Sequence, residues 1–431
     1  MNQEPITWRN IKQTWVVFAL LVPTVLGVAA FSYIPAIEAI RHAFYKWDGQ
    51  YVEEFTGLDN LRQILGRLDI WVPLLVGMVS SGLSALVGGT RSRRLLRIVG
   101  LLSLAWTAAV IIKDARPMAG DGAFRTAMRP VFYLLGGTIV AWVVAARRPA
   151  GGWGALARFL TFFLPITAGM TYVISVTKSG DQLLWMSFRL IFVLLVANLF
   201  TMWPSIFTAV CIHRLKSDRA QYIYRVLFVV PMIIPAMVGL LIWKFFYDPS
   251  VGVLNKILIS SGLDHVLIWL DTWVLHLGVF TDPFRPAWLG DPSLIIPALI
   301  FWGFPWVGVV GVLIYLAGLQ NIGGDVYEAA EIDGITSWGK FWRIELPLIM
   351  TQVRLNLILM VIGTFQAYGF QLILLGPSGG PENKGLTPGL YMFFQAFTET
   401  NYGYACALGL ILFFIILVLT IVNQKYVRVQ K

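Results

Sequence analysis

The chain has 431 residues, 57% hydrophobic and 13% charged, with a formal net charge of +10. A soluble protein of this length needs far more polar surface, and the alternating strands of about ten residues that build an outer-membrane barrel are absent. The positive charge does not point to nucleic acid: the basic clusters "TRSRRLLR" (90–97) and "HRLKSDR" (213–219) sit at the ends of apolar runs and are not interleaved with aromatics, as expected of the short basic loops that orient membrane proteins.

In chain order, the polar, mildly basic start "MNQEPITWRNIKQTW" leads into an apolar run from Val16 to about Ala39. That run is longer than a signal-peptide core, so it reads as an uncleaved first span. About ten spans follow from hydropathy, each near the length needed to cross a hydrocarbon core. They lie near 15–39, 70–89, 96–112, 130–146, 156–177, 189–212, 222–246, 294–318, 352–375 and 404–423. The expected fold class is all-α, a polytopic helical membrane protein. Cys211 and Cys406 lie inside apolar runs without metal-ligand or disulfide spacing, and the four histidines are scattered.

With the N-terminus in the cytoplasm, the inner segments collect Arg9, Lys12, Arg91, Arg93, Arg94, Arg97, Arg147, Arg148, Arg158, Arg214, Lys216, Arg219, Arg225, Lys340, Arg343, Arg354, Lys425, Arg428 and Lys431. The long outer loop near 247–293 is acidic, with Asp248, Asp264, Asp271, Asp282 and Asp291. This asymmetry favours both termini in the cytoplasm. One outer segment runs against it, carrying Lys113, Arg116, Arg125 and Arg129.

The segment "DVYEAAEIDGITSWGKFWRIELP" (325–347) is then cytoplasmic. Asp325 and Glu328 have capping-box spacing, Gly334 supplies a left-handed stop, and Thr336 or Ser337 caps a second short helix. A helix–turn–helix on the membrane surface is expected. Its small residues Ala329 and Ala330 allow close approach by another protein; an ordinary well-capped loop satisfies the same pattern.

These residues resemble the EAA loop of inner-membrane permeases of binding-protein-dependent ABC importers. The resemblance rests on Glu328, Ala329, Ala330, Asp333, Gly334, Phe341, Ile344, Leu346 and Pro347. "FTGLDNLRQIL" (55–65), "YRVLFVVPMIIPAMVGLLIWKFFYDPSVGVLN" (224–255), "LAGLQNI" (316–322), "GGP" (379–381) with Thr387, and "YGYACA" (402–407) are similar to the sugar-permease subgroup. The resemblance covers roughly 10–65 and 188–431, and implies a six-span core. Residues 66–187, with about four apolar runs, have no counterpart in that core and read as an inserted helical subdomain. An even number of inserted spans keeps the downstream orientation. The domains are thus a tail, first span and outer loop (1–65), the insert (66–187), and the permease core with its coupling loop (188–431).

The resemblance implies a chain that forms the path for a carbohydrate in the cytoplasmic membrane of a bacterium or archaeon. A second permease subunit, an ATPase dimer and an extracytoplasmic solute-binding protein complete the importer. No Walker A run is present, so ATP belongs to the partner ATPase, and no cofactor is expected in this chain. The loop is expected to seat Ala329 and Ala330 in the ATPase. Glu328 makes a charge contact or holds the cap, Asp333 and Gly334 form the turn, and Phe341, Leu346 and Pro347 tie the loop to the next span. Path candidates are Gln366, Tyr368, Gln371, Trp243 and Trp302: amides inside a span seek a partner or a polar cavity, and helix–helix bonding satisfies them equally. A neutral sugar is preferred over a glycerol phosphate because no Arg or Lys is placed in the path; a non-sugar solute such as a polyol is the alternative. A stand-alone secondary transporter would need an intramembrane relay. Its candidates, Glu38 and Lys244, sit at span ends, where snorkelling explains them. A membrane enzyme would need an acid, base or metal cluster at mid-depth, and the sequence offers none.

Overall fold

Prolines and glycines break many of the apolar runs, and the breaks set the architecture. The computed structural model describes residues 15–51, 54–86, 90–115, 122–147, 160–161, 164–165, 167–169 and 171–426. Of the orienting charges above, Arg9, Lys12, Arg116, Arg148, Arg158, Arg428 and Lys431 lie outside the described residues, as do parts of the expected span 156–177. Among the described residues three helices are long and apolar enough to cross a membrane: Ala19–His42, Arg94–Asp114 and Gln182–His213. Four bent helix pairs also qualify if each is taken as one span.

The expected span 222–246 is one such pair. Asp218–Ile233 and Ala236–Phe246 meet at 85°, at Pro235, which cannot continue the helix ladder. The expected span 294–318 is two helices, Ile295–Phe301 and Val309–Gln320. Between them Gly303 and Trp306 take positive φ of 77° and 59°. The expected span 352–375 is likewise split into Met350–Phe365 and Gly369–Leu375. Hydropathy registers how apolar a run is and not whether its backbone is continuous. The acidic loop 247–293 holds two short helical segments, Val253–Ser260 and Leu263–Leu275, crossing at 94°.

Two compact units make up the chain: Met1–Asn60 with Ser187–Lys431, and Leu61–Met186. In the second unit, helices Leu68–Leu86 and Thr90–Ala115 pack as a hairpin. Asp114 lies near the end of Thr90–Ala115, because the helix runs on past the apolar stretch. Its carboxylate accepts from Arg67 Nη2 at 2.7 Å and from the Tyr172 hydroxyl at 3.2 Å. Arg67 also pairs with Asp69 through Nε at 2.8 Å. A backbone crossing closes this unit: the Asp181 N–H donates to the Ile64 carbonyl at 3.0 Å. Gly66 and Gly180 flank the crossing with φ of 72° and 80°, and a Cβ on Gly66 would stand 2.5 Å from the Gly180 nitrogen, so neither position has room for a side chain.

In the first unit, the helical run from Trp15 ends at His42 and enters a two-stranded ribbon, Tyr45–Lys46 against Glu54–Phe55. The Asn60 side-chain amide donates to the Ala43 and Tyr45 carbonyls, each at 3.0 Å, fixing the ribbon to the helix end. The ribbon then docks on the start of the last helix, Tyr402–Tyr426, where the Gly403 N–H donates to the Trp47 carbonyl at 3.0 Å.

The breaks are stitched by side chains. Ser205 Oγ donates to the Trp306 carbonyl at 3.3 Å and accepts from the Gly308 N–H at 2.9 Å. Trp306 Nε1 donates to the Ile300 carbonyl at 2.9 Å. Thr387 Oγ1 donates to the Ala367 carbonyl at 2.6 Å and caps helix Pro388–Phe397. Each bond restores a partner to a backbone group that the break released.

Gly403→Ala is expected to lower stability by about 1–3 kcal/mol through overpacking, because a Cβ there collides with the Tyr45 carbonyl oxygen. Gly239→Ala, whose Cβ would meet nothing within 4 Å, is the matched control. Thermal unfolding in detergent should separate the two; equal midpoints would contradict the docking of ribbon on helix.

Candidate functional site

The segment 324–348 is a hairpin of short helices. The first, Gly324–Ile332, starts from Gly323 with extended backbone and no side-chain cap. The expected Asp325–Glu328 capping box is therefore not formed: the helix begins two residues earlier, so Asp325 sits inside the first turn, where its charge still favours the helix start. The exit follows expectation. Gly334 has φ of 65°, the Ile335 N–H donates to the Ala330 carbonyl at 3.0 Å, and the Gly334 N–H to the Glu331 carbonyl at 3.1 Å. That is a Schellman motif, whose nested bonds satisfy the last carbonyls of the helix. Thr336 then caps Ser337–Lys340 by accepting from the Gly339 N–H at 3.2 Å.

Lys340 Nζ reaches Glu331 Oε1 at 2.9 Å and links the two short helices. The same ammonium holds the Glu331 carboxyl below its ordinary range, chiefly through this hydrogen bond. The chain continues through a wide helical turn, Phe341–Glu345, and bends by 67° into Met350–Phe365.

One side of the hairpin faces out. Glu328, Ala329, Asp333 and Gly334 are exposed, and Ile332 is 87% and Trp338 62% exposed. Asp333, Gly334, Thr336, Trp338, Trp342 and Arg343 help line a cleft of about 460 Å³. Ala330 does not belong to this face. Its 3% exposure turns the methyl into the chain's own interior, because Ala329 and Ala330 are successive helix positions about 100° apart. Phe341 is buried in a cluster with Ile206, Val210, Val312, Tyr315 and Leu319, and Leu346 packs against it. Pro347 is half-buried.

The long helix Gln182–His213 grips the hairpin from behind. Phe207 stacks on Phe341 at 5.0 Å and on Trp338 at 6.2 Å, and Trp203 meets Trp342 at 5.7 Å. Just beyond the helix, Arg214 forks onto Glu345, with Nε to Oε1 at 3.0 Å and Nη2 to Oε2 at 2.7 Å. Glu345 is fully buried, while a third of the Arg214 side chain is exposed. Losing one partner of a buried pair costs about 3–5 kcal/mol, and the exposure of Arg214 places this one toward the low end.

Sequence reasoning counted Arg214 only as an orienting charge and passed over Glu345. A signal was available: Trp203, Phe207, Val210 and Arg214 are spaced by four, three and four residues, which puts them on one helical stripe.

The path candidates divide. Gln366 and Tyr368 are exposed at the break between Met350–Phe365 and Gly369–Leu375. Tyr368 stacks on Phe393 at 5.5 Å. Trp302 is 39% exposed and meets Phe370 at 4.5 Å, so it joins the same region. Gln371 is buried, with Oε1 lacking a hydrogen-bond partner. Trp243 packs among Phe246, Tyr247 and Phe301, as a core aromatic does. Among the described residues no group of His, Cys, Asp or Glu is arranged to hold a metal.

Residues 203–428 match the family described as "Binding-protein-dependent transport system inner membrane component". The chain is 34% identical over 200 residues to the diacetylchitobiose uptake system permease protein NgcF of Streptomyces coelicolor, covering 46% of this chain and 51% of that one. It is 29% identical over 232 residues to the maltose/maltodextrin transport system permease protein MalF of Escherichia coli K12, covering 51% and 41%. The matches thus span about half the length of these curated relatives. Among solved structures, a bacterial ABC transporter that imports the acidic polysaccharide alginate aligns over 98% of both chains, at 17% identity and a TM-score of 0.52. The family match takes in the whole hairpin, the helices on either side of it and more than half of the sequence, and the chain belongs to the inner-membrane components of binding-protein-dependent transport systems, as a multi-pass, mostly helical permease.

Proposed function

We propose that the chain is the permease subunit of an ATP-driven importer, coupled to a separate ATPase through the hairpin 324–348 and carrying a neutral carbohydrate. The observation that carries this reading is the hairpin itself. It presents Glu328, Ala329, Asp333 and Gly334 outward on a backbone locked by a Schellman motif and the Lys340–Glu331 link, as a docking surface requires. Phe341, Leu346 and Pro347 hold it to the membrane part, and Ala330 serves its inner packing.

The remaining parts of the importer follow from the family. A second permease subunit pairs with this one, two ATPase subunits use ATP on the cytoplasmic side, and an extracytoplasmic binding protein delivers the solute. A relative in fold has been seen with an alginate pentasaccharide-bound periplasmic protein, which supports that last partner. Both termini are cytoplasmic. The domain division is the one drawn above: a six-span core, with about four additional helices in 66–187. Support comes from the separate packing of Leu61–Met186 and from a family match that begins only at residue 203.

For the solute, Gln366, Tyr368 and Trp302 offer an amide, a phenol and an indole in one region, suited to hydroxyl groups and to the apolar faces of a sugar ring. The names of the relatives agree in class: diacetylchitobiose, maltose and maltodextrin, lactose. Lys244 donates to the Ile373 carbonyl at 3.3 Å, so its ammonium is engaged with the backbone.

Ala329→Trp should abolish co-purification of the ATPase while the permease still inserts; normal association would refute the docking assignment. Tyr368→Ala should leave the ATPase bound and reduce uptake by about ten-fold, the size of one lost aromatic contact. Radiolabelled diacetylchitobiose, maltose and lactose are the probes for intact cells. Uptake of none of these, with uptake of glycerol phosphate instead, would overturn the neutral-sugar reading.

A further inference from the structure

The hairpin joins the rest of the chain by covalent and non-covalent routes of different stiffness. The covalent routes are both bent, by 74° between Val309–Gln320 and Gly324–Ile332 and by 67° at Ile349 into Met350–Phe365. The other route is non-covalent and runs into the end of Gln182–His213, where two neighbouring residues hold all three segments of the hairpin. His213 Nε2 and the Tyr327 hydroxyl of the first helix are hydrogen-bonded at 3.2 Å. Arg214 Nη2 donates to the Ser337 carbonyl of the second helix at 2.8 Å. Through Nε and Nη2, Arg214 also forks onto Glu345 of the wide turn. Phe207, two turns earlier, lies against both Phe341 and Trp338.

A forked, charge-assisted pair with one partner fully buried fixes direction as well as distance. A bend at a helix break does not. From this we infer that Arg214 is a positioning residue for transport: it latches the hairpin to Gln182–His213, so that a displacement of the hairpin moves that 32-residue helix as one body with it. The inference rests on the importer reading above and adds the route by which the work of the ATPase enters the membrane. Glu345 is the buried half of the latch, and His213 with Tyr327 stops the first helix from pivoting about the fork.

The test uses the permease purified with its ATPase, on a Cys211→Ser/Cys406→Ser background. Nitroxides are placed at Asp325→Cys in the first helix and Lys216→Cys beyond the long helix, both exposed positions. Dipolar broadening between them reads the hairpin against the helix end, with and without ATP plus vanadate. In the otherwise unaltered protein the broadening should be the same in both conditions. In Glu345→Gln, which keeps the shape but loses the charge, it should change with nucleotide while the ATPase remains bound. ATP hydrolysis should then continue with uptake per ATP reduced about five-fold or more, the scale of a lost coupling.

Arg214→Lys, which keeps the charge and loses the fork, should behave like Glu345→Gln. Broadening that changes with nucleotide in the unaltered latch overturns the proposal. So does broadening in Glu345→Gln that stays constant. Loss of the ATPase from Glu345→Gln overturns it as well, since the pair would then be a requirement of the hairpin's own fold. If no ATPase accompanies even the unaltered permease, the importer reading falls and takes the latch with it.

Discussion

A helix that breaks inside an apolar segment releases N–H and C=O groups that hydrocarbon cannot satisfy, and this chain breaks its helices again and again. The structure depends on how those groups are met. Ser205 serves two of them at once at the Trp306–Gly308 break. Thr387 meets the Ala367 carbonyl and caps a helix in the same stroke. Hydroxyls suit the task because one group both donates and accepts and is small enough to fit between packed helices. The cost of irregular backbone is thereby offset locally, and the breaks become fixed elements of the fold.

The same rule explains why the hairpin can be at once exposed and rigid. Its own bonds satisfy its backbone, through the Schellman motif at Gly334 and the Thr336 cap. Its outward face is therefore free to carry side chains chosen for contact. Its inward face carries Ala330, Phe341 and Glu345, whose burial does the holding. A buried carboxylate in such a place is costly unless a guanidinium meets it squarely, and Arg214 does so.

Much of this was legible in the sequence, for identifiable reasons. The Gly334 turn and the Thr336 cap follow from local chemistry that any context preserves. Hydropathy located the apolar runs, because the bilayer imposes one length scale. What stayed hidden depends on tertiary placement. Nothing local separates Ala329 from Ala330 until the hairpin docks. Gly323 takes the helix start from Asp325 by a shift of two residues. The break inside 294–318 needs positive φ at Trp306, a residue with no propensity for it. Glu345 sits in "RIELP" like any loop carboxylate, and only the fold brings Arg214 to it across 131 positions of sequence. The placement of the path candidates is tertiary as well: Tyr368 and Trp302 share a region, while Trp243 packs among its aromatic neighbours.

The helix Ala19–His42 has none of its apolar window buried in the protein, yet its end is tied through the ribbon to Gly403. Such a segment draws its stability from lipid, so it can insert as soon as it is synthesised, ahead of any packing. Its docking site does not exist until the last helix emerges, more than three hundred residues later. The first unit is therefore closed late, by segments distant in sequence. Until then Trp47, whose ring meets Tyr402 at 5.7 Å in the folded chain, waits at the membrane surface with that face uncovered, and that interval is when the nascent protein is most open to misassociation.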